Sequence, residues 1–217
     1  MDCCGKAQKG RHAAGEDPVK RDQILDGAGR VFIEKGFDAA SMNDITRAAN
    51  VSKGTIYVYF ENKEELFEAL IERERGELFS ELPSMLDGDG TTREKLARYG
   101  VALARLITSD IVMRAQRIVI AMADRKPTLG SRFYEQGPLK GKAFLAAFLQ
   151  KETEEGRLAI DDAELAAYQF ADMCMSGIFR PRLFGHMPKP PTQAEIERSV
   201  GGAVEVFMRA YATRMGA

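Results

Sequence analysis

One segment, Ser41 to Leu66 (SMNDITRAANVSKGTIYVYFENKEEL), leaves this chain few choices of fold. Start signals follow one another too closely for long helices. Ser41 with Asp44 three residues on is a capping-box start, in which a hydroxyl takes an orphan amide and a carboxylate reaches back. Ile45, Ala48 and Ala49 then recur at helical spacing and give the first piece a small apolar face. Asn50-Val51-Ser52 breaks the pattern, and Ser52 is placed to cap a second piece from Lys53 to Phe60. Two short helices joined by so tight a turn form a helix-turn-helix, whose second member lies in the DNA major groove. If Ile56 and Phe60 face inward, as their i, i+4 spacing implies, then Lys53, Thr55, Tyr57 and Tyr59 face outward. Gly54 leaves room for close approach. Helix starts favour anions through unpaired amides, so Ser41-Met42 and Asn62-Lys63 are candidate phosphate clamps.

From Val19 to Leu70 the chain resembles the DNA-binding head of the TetR (tetracycline-repressor-like) family of bacterial regulators. The residues that carry the likeness are Gly36-Phe37, Ser41-Met42, Asp44-Ile45, Ala48-Ala49, Val51-Ser52-Lys53-Gly54-Thr55, Tyr57, Tyr59-Phe60 and Lys63-Glu64. The resemblance implies that Thr55 and Tyr57 touch bases while Ser41, Tyr59 and Lys63 grip phosphates. With Met42, Ser52, Lys53 and Gly54 these make the expected DNA-binding set. A single short recognition helix reads few bases, so a two-fold dimer on a palindromic double-stranded operator is expected.

Charge alone does not announce a nucleic-acid partner. The 217 residues carry a formal net charge of −1, and residues 1–60 hold nine Lys or Arg against eight Asp or Glu. A chain that is 45% hydrophobic and 29% charged fits an ordinary globular protein. No apolar run approaches the roughly 18 residues of a membrane span, and the basic N-terminus lacks the apolar core of a secretory signal. Three cysteines make no disulfide framework, which points to the reducing cytoplasm. Cys3, Cys4 and His12 match no zinc spacing. Without a phosphate loop, nucleophile elbow or paired metal-binding histidines, the expectation is a protein that is not an enzyme and carries no cofactor or metal.

The punctuation along the chain predicts an all-α fold of about nine helices. Residues 1–17 read as a flexible tail, 18–64 as a three-helix DNA-binding head, and 65–217 as a ligand-sensing and dimerisation domain. Pro18 opens the first helix and Gly36 closes it. Asn62 with Glu65 starts a connector whose buried side carries Leu66, Phe67, Leu70, Ile71 and Leu78. Beyond Asp87–Gly90, helix starts fall at Thr91, Ser109, Thr128, Asp161 and Thr192. The helix from about Thr128 to Glu155 is expected to bend at Gly137-Pro138.

The second region supplies candidates for a sensor. The stretch Arg117 to Met122, followed by Phe133-Tyr134-Glu135 and Gly137-Pro138, is similar to the C-terminal domain of the AefR-like branch, and that likeness implies release from DNA on binding a small molecule. Met113, Phe133, Phe144, Phe148, Tyr168 and Met173 are the expected lining for an apolar or amphipathic effector, with Arg117 or Asp172 as polar anchor. Ile196, Val200, Val204, Phe207 and Tyr211 form an apolar stripe on the last helix, read as the homodimer seam. Gly201-Gly202 would let backbones approach there, and Leu165, Gln169, Asp172, Ser176 and Gly177 offer a similar stripe on the helix before. Two alternatives stand beside this reading: a DNA binder without sequence preference, and a helical protein that only binds ligand.

Overall fold

The computed structural model describes residues 16–79 and 82–214. Cys3, Cys4 and His12, the 1–15 part of the expected tail, and the side chain of Leu78 lie outside it. Every helix and connecting turn among the described residues belongs to an all-α fold: α1 Pro18–Ala39, α2 Met42–Ala49, α3 Lys53–Tyr59, α4 Lys63–Phe79, α5 Thr92–Ile107, α6 Asp110–Met122, α7 Pro127–Tyr134, α8 Lys140–Glu154, α9 Ala163–Cys174, α10 Phe179–Leu183 and α11 Gln193–Tyr211. A 3-10 turn at Pro83–Leu86 and a π segment at Glu135–Leu139 complete the order. The chain divides into two compact units, Met1–Glu72 and Arg73–Ala217.

In the first unit, Asp17 caps α1 by accepting from the Val19 and Lys20 amides, with Pro18 in the position whose missing N–H costs nothing. Gly36 turns the chain out of the helix at φ 76°, a conformation glycine adopts without a Cβ penalty. That turn folds Phe37 back onto the core, where it meets Phe32 at 5.4 Å and Phe67 at 5.1 Å. Leu66, Phe67 and Ala69 of α4 are buried in the same unit, so its core extends past residue 65 into the first turns of the connector. A Cβ on Gly27 would lie 2.6 Å from both the backbone nitrogen and the Cβ of Ala49. Helices α1 and α2 therefore touch at backbone distance, which only glycine permits.

In the second unit, α5, α8, α9 and α11 enclose a core around Leu96, Tyr99, Leu145, Leu149, Phe170 and Phe207. Thr91 and Thr192 make capping boxes with Glu94 and Glu195, as their spacing predicts, and Ser109 caps α6. The cap of α9 is Asp162 rather than Asp161. The helix expected from Thr128 to Glu155 is three pieces, α7, the π segment and α8. Pro138 cannot donate to an i→i+4 ladder, and the wider π turn accommodates it without ending the helix. This division, together with the five-residue α10, which has no capping signal, raises the expected nine helices to eleven among the described residues.

Candidate nucleic-acid interface and sensor residues

The geometry of the first unit rests on its helix ends. Ser41 Oγ accepts from the Asp44 amide at 3.1 Å and the Asp44 carboxylate takes the Ser41 amide at 3.2 Å, closing the capping box. Lys35 and Arg47 reach the same carboxylate at 2.8 and 2.6 Å. Hydrogen bonds from Lys35 and Ser41 hold the Asp44 carboxyl well below the usual carboxylate range. At its other end, α2 stops on Asn50 in the left-handed region, and α1 supplies partners for its last carbonyls. Gln23 Nε2 donates to Ala49 O and Arg30 Nη2 to Ala48 O, both at 2.6 Å. The turn between α2 and α3 is thus fixed by α1.

Helix α3 then presents its side chains as the spacing predicts. Ser52 Oγ accepts from the Thr55 amide at 3.0 Å and lies 2.7 Å from Thr55 Oγ1. Ile56 and Phe60 are buried, while Lys53 and Gly54 are exposed and Thr55 and Tyr59 half-exposed. Tyr57 is 46% exposed and Val58 53%. Val58 is the residue that the sequence reading missed. It sits on the helix ridge opposite Ile56, with Gly54 one turn before it, and counting i+2 from the buried isoleucine finds it.

Two expected phosphate grips look different in the structure. Ser41 spends its hydroxyl on Asp44, from which it accepts and to which it donates at 2.6 Å, while Met42 is half-buried beside it. Lys63 Nζ donates to the carbonyls of Phe37, Asp38 and Ala40 at 2.6, 3.2 and 3.0 Å and lies 4.5 Å from the centre of the Phe37 ring. Three acceptors match the three hydrogens of an ammonium. Lys63 therefore ties the start of α4 to the end of α1, and a phosphate would have to displace a carbonyl.

The expected sensor residues differ in exposure. Phe148 and Met173 pack against the main core of the second unit. Met113 is buried on α6, whereas Phe144 is 54% exposed on α8. Phe133 and Tyr168 are half-buried and Asp172 is exposed. Arg117 already has partners. Its guanidinium donates to the carbonyls of Leu183, at 2.9 Å, and Arg182, so it closes the end of α10. Arg182 itself is buried and donates to Thr108 O, Met187 O, Pro188 O and the Asp110 carboxylate at 2.7–3.1 Å. Burial pushes the Cys174 thiol up to about 12, which removes it from nucleophilic chemistry. Among the described residues, no three His, Cys, Asp or Glu are grouped to hold a metal ion.

The expected dimer stripe also needs correcting. Ile196, Val200, Val204 and Phe207 are buried within their own chain; Phe207 meets Phe170 at 5.1 Å, and Tyr211 donates to Gln169 at 3.1 Å. The most apolar stripe of an amphipathic helix is claimed first by its own core. The opposite face of α11, with Gly201, Gly202 and Val206 at 57% exposure, is left outward. Leu165, Gln169, Asp172, Ser176 and Gly177 of the α9 segment are outward too.

Known proteins match both units. The family model described as bacterial regulatory proteins, tetR family, matches residues 24–70, and that described as AefR-like transcriptional repressor, C-terminal domain, matches residues 94–213. An HTH-type transcriptional repressor of Mycobacterium tuberculosis is 40% identical over 171 residues, 79% of this chain and 86% of that one. Matches to two further curated regulators cover 39% and 28% of those proteins' lengths. A structure assigned to the TetR family from Mesorhizobium loti superposes with a TM-score of 0.82 at 28% identity, over 91% of this chain and 99% of that one. The flavonoid-responsive regulator FrrA does so at 0.73 and 31%, over 90% and 98%.

Proposed function

Since the chain belongs to the TetR family of bacterial regulatory proteins, we propose that it is a sequence-specific transcriptional repressor which a small molecule releases from its operator. The observation that carries this reading is α3, a capped helix buried through Ile56 and exposed along Lys53, Gly54, Tyr57 and Val58. Residues 18–64 read the DNA, and residues 65–217 sense the effector and dimerise. Thr55, Tyr57 and Val58 face the bases, with Ser52, Lys53, Gly54 and Tyr59 beside them; Ser41 and Met42 lie towards the phosphates, while Lys63 braces the start of α4. Arg47, whose side chain is 79% exposed at the end of α2, joins that backbone grip. The repressor relative and the flavonoid-responsive neighbour support the two halves of the proposal. Its place is the cytoplasm, and among the described residues no helix is long and apolar enough to cross a membrane.

The dimer face is the outward side of α9 and α11, where the exposed Gly201 and Gly202 admit a second backbone at close range. Footprinting on DNA upstream of the protein's own gene tests the whole reading. Protection of two half-sites about one helical turn, or a small multiple, apart is the expected result. Gly202→Arg with Val206→Glu should give a monomer by sedimentation and remove the footprint. Protection of one asymmetric half-site by a monomer, or uniform affinity for all sequences, would reject it.

A further inference from the structure

Tyr134 at the end of α7, Lys142 in the first turn of α8 and Tyr168 within α9 come together on the second unit. Lys142 Nζ donates to Tyr134 Oη at 2.7 Å and lies 3.0 Å from the centre of the Tyr168 ring and 4.9 Å from that of Tyr134. The two phenol oxygens are 3.3 Å apart. An ammonium brings three hydrogens and each phenol one. Within the cluster, the lysine gives one to Tyr134, and one phenol gives its hydrogen to the other. Two N–H and one O–H are left without an oxygen or nitrogen acceptor among the described residues. Among the described residues, no carboxylate makes an ion pair with Lys142. Its ammonium is half-buried between aromatic faces, and desolvation draws it below the usual lysine range against the opposing pull of Asp172 and Glu164 on α9.

We propose that Lys142, Tyr134 and Tyr168 form an anion site that takes the carboxylate or phenolate head of an amphipathic effector. The proposal rests on the reading of the second unit as an effector domain and names the chemical class that it would sense. The ammonium and the phenols sit together with donors that no oxygen accepts, and a charged acceptor is the group that satisfies donors most strongly. Leu139, one turn before Lys142, is exposed and lies on the same helix face. It offers apolar surface for the body of such a molecule. Tyr168 belongs to the site for its hydroxyl and ring face rather than as part of a greasy lining.

Octanoate and octan-1-ol are the probes, titrated by calorimetry into the full-length protein without DNA. Saturable octanoate binding is expected, weakened about tenfold or more by Lys142→Met and less by Tyr168→Phe, with octan-1-ol affinity unchanged by either. Circular-dichroism melts confirm that the variants fold. No saturable octanoate binding, equal affinity in Lys142→Met, or parallel loss of both probes would overturn the site. So would a Lys142→Met variant that shifts the oligomeric state and leaves octanoate affinity alone, because the cluster would then be a contact between copies. Operator release is measured apart, by anisotropy of labelled DNA. Octanoate that binds through Lys142 without releasing the operator upholds the anion site and refutes the effector mechanism instead.

Discussion

The two units solve the same problem, satisfying polar groups near a helical core, in different ways. In the first, long side chains of α1 and α4 reach the backbone ends of neighbouring helices, as Gln23, Arg30 and Lys63 do. In the second, charged side chains are themselves buried. Arg182 closes on three carbonyls and Asp110. Glu152, also buried, takes the Thr92 hydroxyl and a two-pronged grip from Arg157, whose hydrogen bonds hold its carboxyl below the usual range. A small head of short helices has little interior in which to place a charge, so it uses charge at helix ends. The larger unit can enclose a charge if every donor is matched.

The sharpest way to break this contrast is to remove the enclosed guanidinium. Arg182→Met leaves the buried Thr108 carbonyl and the partly buried Met187 and Pro188 carbonyls without their donor, and a buried unmatched acceptor costs roughly 1–3 kcal/mol. A loss of about 3–5 kcal/mol is expected in the second unit by chemical denaturation. A loss below about 1 kcal/mol would show that water replaces the side chain and that the clamp is not enclosed.

Gly27→Ala attacks the head where it has least slack. The added methyl would meet the Ala49 backbone at 2.6 Å, which cannot swing aside as a flexible side chain would. About 2–3 kcal/mol of destabilisation is expected, felt as lost operator binding at a temperature where the second unit still shows its helical signal. Gly54→Ala is the control. Its Cβ meets only Ser52 Oγ, at 3.8 Å, so the head should keep its stability. Equal stability of the two variants would mean that α1 and α2 can separate cheaply.

The same contrast explains what could be read in the sequence. The head is local: cap, turn and apolar spacing lie within a few residues of one another, so Ser41, Ser52, Ile56 and Phe60 were each legible. So were the capping boxes at Thr91 and Thr192. Lys63 misled because a lysine at a helix start reads as an anion grip, whereas its acceptors lie 23 to 26 residues earlier. Arg117 misled more, because it finds carbonyls 65 and 66 residues away, and no spacing rule reports that. The dimer stripe failed for another reason. Periodicity shows which face of α11 is most apolar, but not whether that face meets its own chain or a copy.

Lys63 and Arg47 separate bracing from phosphate contact. Lys63→Met is expected to cost the head about 1–2 kcal/mol, the worth of a charged donor on partly buried carbonyls, while leaving the slope of log K against log salt unchanged. Arg47→Gln should lower that slope by about 0.9, one phosphate's worth, at little cost in stability. A slope that falls by the same amount in Lys63→Met would place the lysine on a phosphate after all.

The smallest expected effect is an acid one, and it tests whether the capping box of α2 holds the head by charge. The Asp44 carboxyl has a folded pKa depressed by its hydrogen bonds to Lys35 and Ser41. A depressed carboxylate favours the fold when ionised, so its contribution is fully present above the ordinary aspartate value. It fades as pH falls through the lower folded value. Asp44→Asn removes that dependence and keeps the side chain's shape. Melting the protein and the variant side by side down the acid range should show the greater stability of the parent shrinking as Asp44 takes up its proton. The screening of Lys35 and Arg47 by water keeps the difference modest throughout. A stability gap that stays constant through that range would mean the box holds α2 by shape and hydrogen bonding alone, with the charge on Asp44 contributing nothing to the turn that aims α3.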